Sequence, residues 1–285
     1  MKIWLNGNVL TPEAAAIPVT DRGLLFGDAL FETFRAYRGV VFRLRDHLAR
    51  LADSCRFFNL ELPLTLEEVR RAVTALLAAN QMTDAAVRLT LTRGPVNAPL
   101  GLPASDRSNL FMTLRRPGYP PDLYDRGLRL ITASVRRNDF SPLSRHKTAN
   151  YLDALIARRQ AAQAGADEAL MLDDTGAVAE CATANIFAVR DDAVLTPPLD
   201  APILPGVTRA VVLELCDALS LPASDRRISP EDLRNVDEVF VTNSVIELAP
   251  VTSLDGRPVG TGKPGPLYQR LAQAYRDCVD AECGT

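Results

Sequence analysis

Residues 145–151 read Arg-His-Lys-Thr-Ala-Asn-Tyr and place a lysine between a loop and the start of a predicted helix. The pattern from Tyr151 to Gln163 predicts that helix, and Asn150 is a residue type that caps helix N-termini. Most lysines are solvated surface charges, which is the ordinary interpretation of Lys147. The sharper interpretation is that Lys147, held at the mouth of a helix, forms a Schiff base with a carbonyl compound.

Three further stretches of the sequence offer what one such carbonyl compound, pyridoxal phosphate, requires. Glu180 offers a carboxylate for the pyridine nitrogen, and Gly206-Val207-Thr208-Arg209 opens a helix whose amides attract a phosphate. Thr242-Asn243-Ser244 ends a predicted strand and adds hydroxyl and amide donors. Each stretch taken alone has a more ordinary interpretation: a strand glutamate, a Pro-Gly helix start and a turn.

The length and composition are those of an ordinary folded protein. The chain has 285 residues, of which 47% are hydrophobic and 24% are charged, and this favours two domains of ordinary size. Its 32 Lys and Arg against 35 Asp and Glu give a net charge of -3, so no positive field favours nucleic acid as a partner. No apolar stretch is long enough for a membrane segment.

The cysteines and histidines limit the chemistry further. The five cysteines are widely spread without a Cys-x-x-Cys pair, which indicates reduced thiols and a cytoplasmic location. With His47 and His146 as the histidines, no cluster has the spacing of zinc ligands, and we predict no protein-bound metal.

Strand and helix signals alternate along the chain and predict a mixed α/β (α+β) protein. The first domain is predicted over residues 1–118, with Asp46 capping a helix and Val87, Leu89 and Leu91 marking a half-buried strand. Residues 119–127 follow a run of prolines and read as a linker. The second, larger domain is predicted over residues 128–285.

Taken together, the motifs form a pattern that no single one of them carries. In chain order they are Asp21-Arg22-Gly23, Phe26-Gly27-Asp28-Ala29-Leu30-Phe31-Glu32-Thr33-Phe34-Arg35, His47-Leu48-Ala49-Arg50-Leu51, Lys147 with Asn150-Tyr151, Glu180 with Asn185 and Phe187, Gly206-Val207-Thr208-Arg209, and Thr242-Asn243-Ser244. Their order and spacing resemble the class IV aminotransferases, the fold type IV pyridoxal phosphate enzymes. The resemblance covers nearly the whole chain.

The resemblance implies a role for individual positions. Lys147 and Glu180 would be catalytic: Lys147 forms the Schiff base with pyridoxal phosphate and moves a proton, and Glu180 pairs with the pyridine nitrogen. The cofactor would be bound by Arg50, Lys147, Tyr151, Glu180, Asn185, Val207, Thr208, Thr242 and Asn243.

The resemblance also implies the architecture and the substrate pocket. A small N-terminal α/β domain and a larger C-terminal pseudo-barrel domain would hold the cofactor, and a homodimer would place the active site near the subunit interface. Phe31, Thr33 and Arg35 match pocket positions. Arg35, Arg93 and Arg145 are candidates for binding a substrate carboxylate, against the ordinary interpretation that they are surface or structural arginines.

The family includes branched-chain aminotransferases, D-amino-acid transaminases, (R)-selective amine transaminases and aminodeoxychorismate lyases. Phe31-Glu32-Thr33 departs from the Phe-Glu-Gly of the branched-chain enzymes, and Pro95 to Leu100 lacks the Arg-x-His carboxylate clamp of the D-amino-acid enzymes. We predict transfer of an amino group from an amino acid or primary amine, including D-amino acids and (R)-amines, to a 2-keto acid. An aminodeoxychorismate lyase of 4-aminobenzoate and folate synthesis is the second alternative, and a noncatalytic ligand-binding relative is a remote third.

Overall fold

The computed structural model describes residues 1–95, 100–105 and 107–284, and the chain divides into two compact units. The first unit comprises Met1–Pro117, His146–Asn150 and Val279–Thr285, and the second comprises Gly118–Arg145 and Tyr151–Cys278. The domains predicted from the sequence, residues 1–118 and 128–285, are consecutive, whereas the first unit also includes His146–Asn150 and Val279–Thr285. Residues Val96 to Pro99, which belong to the stretch compared with the carboxylate clamp above, lie outside the described residues.

The first unit is an antiparallel sheet with two long helices. Its elements are β1 (Ile3–Leu5), β2 (Asn8–Leu10), α1 (Arg22–Phe26), β3 (Ala29–Tyr37), β4 (Val40–Val41), α2 (Leu44–Phe57), α3 (Leu66–Ala79), β5 (Ala85–Thr92) and β6 (Asn109–Arg115). The six strands run in the order β2-β1-β6-β5-β3-β4. Leu51 of α2, Leu76 of α3 and Leu89 of β5 lie in one buried core, so the apolar faces of both helices pack on the sheet.

A short segment from later in the chain pairs with the edge of β3. Phe31 N–H donates to Lys147 O at 2.9 Å, and Ala149 N–H donates to Ala29 O at 2.8 Å. Leu30 and Thr148 form an antiparallel bridge between these two bonds. This pairing fixes the backbone of the lysine against β3.

The second unit is a larger mixed sheet with helices. Its elements are α4 (Leu123–Arg126), β7 (Leu128–Arg137), α5 (Leu152–Gln163), β8 (Glu168–Asp173), β9 (Val178–Cys181), β10 (Asn185–Arg190), β11 (Ala193–Thr196), α6 (Val207–Ala218), β12 (Ala223–Asp225), β13 (Glu238–Asn243), β14 (Glu247–Leu254), β15 (Arg257–Pro258) and α7 (Pro266–Cys283), whose last residues belong to the first unit. Short 3₁₀ turns span Pro142–Arg145 and Asp232–Arg234.

The sheet of the second unit has the order β12-β11-β10-β13-β14-β7-β8-β9, with β15 paired to β14. Three of its strand pairs are parallel and the others are antiparallel. The mixed helix and sheet architecture predicted from the sequence is confirmed.

Three local expectations from the sequence are corrected by the structure. α2 begins at Leu44, so Asp46 lies in its first turn and does not cap it. Asn150 does not cap α5; its side-chain amide donates to Gly27 O at 3.1 Å. Apart from the exposed Arg88, β5 is buried on both faces rather than one, because Thr90 and Thr92 are also covered and the Thr92 hydroxyl donates to Asp21.

None of the five cysteines takes part in a disulfide. Within the described ranges, no helix combines the length and the apolar character needed to cross a membrane, and no group of His, Cys, Asp and Glu side chains could hold a metal ion.

Candidate active site

Lys147 lies beside an aromatic ring in the first unit. Its Nζ is 4.6 Å from the centroid of the Phe31 ring, and the Arg88 guanidinium carbon is 3.6 Å from the same centroid. Phe31 is buried, so its ring is a fixed surface against which both cations rest. The sequence analysis did not single out Arg88.

Strand alternation explains why these side chains meet. Phe31, Thr33 and Arg35 share one face of β3, and Arg88 stands directly opposite Thr33 on β5. The three predicted pocket residues of β3 therefore lie on the face that carries Arg88. The Arg35 guanidinium lies over the ring of Tyr37, at 4.5 Å from its centroid.

His146, which precedes Lys147, lies against α2. Its Nδ1 is 2.9 Å from Ser54 Oγ, and its ring is 4.6 Å from the ring of Phe57 and 5.1 Å from that of Phe58. Burial lowers the pKa of His146. His146 is thus anchored on α2, while the amine of the next residue, Lys147, lies beside Phe31.

The opposite face of β3 carries a buried charge cluster, the Glu32 cluster, formed by Glu32, His47 and Arg50. Arg50 Nε and Nη2 donate to the two Glu32 oxygens at 2.8 and 2.6 Å, and His47 Nδ1 is 2.8 Å from Glu32 Oε2. Glu32 is fully buried. Burial raises the pKa of Glu32, but the Arg50 charge and the bonds from Arg50 and His47 outweigh it and hold the pKa at about 2.

The Glu32 cluster limits what His47 and Arg50 do. Burial lowers the pKa of His47, and the bond from His47 to Glu32 opposes that shift. Arg50, predicted from the resemblance as a cofactor residue, uses one edge of its guanidinium in a bidentate bond inside the unit. The sequence analysis did not foresee this partner of Arg50.

Glu180, on β9 of the second unit, is the centre of another polar group. Its Oε1 is 2.9 Å from Arg137 Nη2, and its Oε2 accepts bonds from Asn185 Nδ2 and Leu204 N–H, both at 3.1 Å. Glu180 and Asn185 are both buried. The structure thus brings together these two predicted cofactor residues, and adds Arg137 to them.

The N-terminus of α6 adjoins this group. Gly206 is the N-cap, and a Cβ at this position would lie 1.9 Å from Asn185 Oδ1, so the close approach requires glycine. Val207 and Thr208 begin the helix, where backbone N–H groups have no partner within the helix. Amides at such an end, together with the helix dipole, attract an anion.

Thr242 adds a hydroxyl beside the same group. It is the register partner of Asn185 in the pairing of β10 with β13, and its buried Oγ1 has no hydrogen-bond partner in the structure. An unpaired buried hydroxyl is costly unless a ligand completes it. Carboxylate, helix end and open hydroxyl therefore provide one acceptor and several donors for a ligand with a basic nitrogen and an anionic group.

The other predicted cofactor residues make bonds within the second unit. Asn243 Oδ1 accepts from Val245 N–H and Ile246 N–H, both at 2.9 Å, which shapes the turn after β13. Tyr151 precedes α5, and its hydroxyl donates to Ala182 O at 3.4 Å.

Two of the arginines proposed for a substrate carboxylate bind the protein itself. Arg93 is fully buried, and its donors reach Asp28 Oδ2 and three backbone oxygens, those of Phe58, Asn59 and Pro103. Arg145 donates to Asp139 O and, at 2.7 Å, to Asp200 O. This geometry favours the structural interpretation of both arginines.

Known proteins resemble this chain over nearly its whole length. The model of the family "Amino-transferase class IV" matches residues 29–254. A Methanocaldococcus jannaschii protein with the provisional name branched-chain-amino-acid aminotransferase is 38% identical over 278 residues, which are 97% of this chain and 96% of that protein. The D-alanine aminotransferase of Bacillus licheniformis is 31% identical and covers 99% of this chain and 98% of its own.

Solved structures of an aminotransferase and of a protein named as a lyase also match the chain. The branched-chain amino acid aminotransferase of Escherichia coli superposes with a TM-score of 0.92 at 30% identity, covering 97% of this chain and 93% of its own. A Legionella pneumophila protein with the provisional name 4-amino-4-deoxychorismate lyase has a TM-score of 0.87 at 25% identity, covering 93% and 96%.

The Glu32 cluster generates a prediction about stability. We expect Glu32→Gln to lower the free energy of unfolding at pH 7 by about 3 kcal/mol, because it leaves a buried guanidinium without its counter-charge. The folded-state pKa of Glu32 lies below its unfolded value, so its contribution is present above about pH 4 and is lost as the pH falls toward 2. Urea unfolding from pH 7 to pH 3 should show a smaller loss for the variant than for the original protein.

The matched control is Glu61→Gln, which removes an exposed carboxylate from the same unit. It should change the free energy of unfolding by less than about 0.5 kcal/mol at every pH. Equal stability of Glu32→Gln and Glu61→Gln at pH 7 would contradict the assignment of the cluster.

Proposed function

Because the chain belongs to the class IV aminotransferase family, and its similarity to aminotransferases supports a transaminase that works with pyridoxal phosphate, we propose roles for its residues and a class of substrate. The observation that carries the assignment is the group around Glu180: a buried carboxylate bonded to Asn185, which packs against the helix cap at Gly206. A ligand with a pyridine nitrogen and a phosphate matches this set of donors and acceptors.

The residues fit pyridoxal phosphate on grounds of their own chemistry. Glu180 would accept the proton of the ring nitrogen, while the Val207 and Thr208 amides and the Thr242 hydroxyl would bind the phosphate. The unpartnered Thr242 Oγ1 is the atom that such a phosphate would complete. Arg50 would add a positive charge for the phosphate, with Glu32 fixing the plane of its guanidinium. Tyr151, Asn185 and Asn243 would shape the site.

Lys147 would be the covalent attachment point of the cofactor and the base of the reaction. The bound cofactor supplies an electron-accepting ring that makes the substrate proton labile. Lys147 Nζ would take this proton and return it to a different atom. Its backbone is held on β3, and its side chain rests beside Phe31, so the amine has a defined position.

We propose that Arg88 binds the carboxylate of the substrate. Its guanidinium lies on the same ring as Lys147, and its Nε donates to Thr90 Oγ1 at 3.3 Å, whereas Arg93 and Arg145 donate to backbone oxygens. Phe31, Thr33 and Arg35 would line the pocket on that face of β3. A pocket with an apolar ring and an arginine suits an amino acid with an aliphatic side chain better than an amine that lacks a carboxylate.

The proposed donor is accordingly a branched-chain amino acid, and the acceptor is a 2-keto acid. This choice differs from the expectation drawn from Phe31-Glu32-Thr33. It is supported by the branched-chain aminotransferase names of two of the proteins described above. The lyase alternative is supported by the Legionella pneumophila neighbour. The position of Lys147 beside Phe31 favours a catalytic protein over a noncatalytic relative. The cytoplasmic location stays a prediction.

We also propose that two copies of the chain form a homodimer. On α5, Leu152, Leu155 and Ile156 follow helical spacing, and the two leucines are 72% and 55% exposed. On α1, Leu24, Leu25 and Phe26 are each more than half exposed. Apolar side chains grouped in this way are typical of interaction surfaces.

Lys147 is one of three lysines, with Lys2 and Lys263, and this makes its role easy to test. Lys147→Ala should lower turnover about a thousandfold or more, because it removes the base of the proton transfer. Borohydride reduction followed by peptide mass spectrometry should place the pyridoxyl group on the peptide that contains Lys147. The control Lys263→Ala should retain full turnover, and turnover of Lys147→Ala within tenfold of that control would refute the mechanism.

A panel of amino donors tests the substrate class. The visible absorbance of the cofactor-loaded protein is followed with L-leucine, L-isoleucine, L-valine, D-alanine and (R)-1-phenylethylamine, each without an acceptor. We expect conversion to the pyridoxamine form with the three branched-chain donors at rates at least about tenfold above the others. Each of the three carries a carboxylate for Arg88 and a branched aliphatic side chain for the apolar ring. Faster conversion by D-alanine or the amine would overturn the proposed donor, and no conversion by any donor would favour the lyase.

The dimer has its own test in the apolar face of α5. Leu155→Glu should shift the mass measured by light scattering from two chains toward one chain of 31.0 kDa, because a carboxylate would be buried at the interface. Leu199→Glu, which alters an exposed leucine outside α5, should remain a dimer. A monomeric original protein, or an unchanged mass for Leu155→Glu, would be evidence against this interface.

A further inference from the structure

Arg137 lies at the end of β7 and is fixed at three points. Its Nη2 is 2.9 Å from Glu180 Oε1, its Nε donates to Pro202 O at 3.0 Å, and Nη2 also donates to Ser144 O. A guanidinium held by two backbone carbonyl groups has little freedom to follow the carboxylate. The position of Glu180 therefore depends on Arg137.

The surroundings of Glu180 favour one charge state. Arg137, the Asn185 amide and the Leu204 N–H all donate to the carboxylate. None of these donors gives up its proton near neutral pH, and each bond stabilises the ionised carboxylate more than the neutral acid. The cation has the largest effect of the three, because Glu180 is buried and the local dielectric constant is low.

This charge state determines where a proton rests when a basic nitrogen meets Glu180. If the carboxylate is kept ionised, the shared proton stays on the nitrogen and the ring remains cationic. If Arg137 is removed, the neutral pair of protonated carboxylate and unprotonated nitrogen becomes competitive in a buried site.

We propose that Arg137 is a positioning residue for the reaction: it holds Glu180 ionised and oriented, so that the proton between this carboxylate and the pyridine nitrogen of the cofactor stays on the nitrogen. The inference rests on the proposed function, because it takes Glu180 as the partner of the ring. Nothing in the sequence pattern assigned a role to Arg137.

The competing explanation is that Arg137 only connects β7 to the backbone at Ser144 and Pro202. The two explanations differ for Arg137→Lys. A lysine keeps the charge beside Glu180 but cannot donate from a planar fork to both carbonyl groups. A purely structural arginine would make Arg137→Lys and Arg137→Gln equally harmful, whereas a charge-setting arginine would make Arg137→Lys the milder change.

The experiment is nitrogen-15 NMR of the protein loaded with pyridoxal phosphate labelled at the ring nitrogen, between pH 6 and pH 9. The original protein should show the resonance of a protonated pyridine nitrogen throughout. Arg137→Gln should move it toward the unprotonated position and lower kcat about tenfold or more, and Arg137→Lys should keep the protonated resonance. The matched control is Arg158→Gln, which removes an arginine from another buried carboxylate of the same unit, Glu168, and should leave the resonance unchanged.

The outcomes separate the two proposals. A chain that binds no pyridoxal phosphate, or a resonance that Glu180→Gln leaves unchanged, would overturn the proposed function and this inference with it. A resonance that responds to Glu180→Gln but stays protonated in Arg137→Gln would overturn the role of Arg137 alone. Should Arg137→Gln fail to fold, Arg137→Lys decides: loss of the protonated resonance despite the retained charge would refute the inference.

Discussion

The hydrogen bond from Phe31 N–H to the Lys147 carbonyl is the constraint from which the arrangement of the lysine follows. Together with the bond from Ala149 N–H to Ala29 O, it holds residues 147–149 beside β3, and a tight turn closed by Thr148 N–H and His146 O is centred on Lys147. His146 then faces α2 and its Ser54 hydroxyl, and Lys147 faces the ring of Phe31. A shift of this pairing by one residue would place a different side chain beside Phe31 and move the amine away from Arg88. The chemistry of the lysine therefore depends on a backbone pairing of only a few bonds.

Each unit contains a buried glutamate that is paired with an arginine. Glu32 and Glu180 are each buried, each pairs with an arginine, and each accepts a bond from another side chain. Arg50 binds Glu32 through two nitrogens of its fork, and Arg137 binds Glu180 and two backbone carbonyl groups. Such pairs contribute little net stability compared with apolar residues of the same volume, but breaking one is costly. They act mainly by fixing geometry and charge state.

Much of the fold could be predicted from the sequence, because hydrophobic periodicity and turn residues are local signals. The helix predicted from Tyr151 to Gln163 is α5, which begins one residue later, and the strand marked by Val87, Leu89 and Leu91 is β5. The pairing of Thr148 with Leu30 had no such signal, since a single bridge joins residues far apart in the chain and has no period. The error at Asp46 has a related cause: an acidic residue suits a helix N-cap and a first turn alike.

In the candidate site too, residues in local sequence motifs were predicted, whereas residues that depend on a distant partner were not. Lys147, Glu180 and the start of α6 were predicted because each stands in a short motif with a recognisable order. Arg88 and Arg137 were missed because their meaning lies in a partner on another strand, Phe31 in one case and Glu180 in the other. The residues that hold a cofactor are thus easier to predict than those that tune it or select the substrate. Arg93 is the opposite case. Its sequence context suggested a contact with the substrate, but in the structure its guanidinium donates to three backbone carbonyl groups.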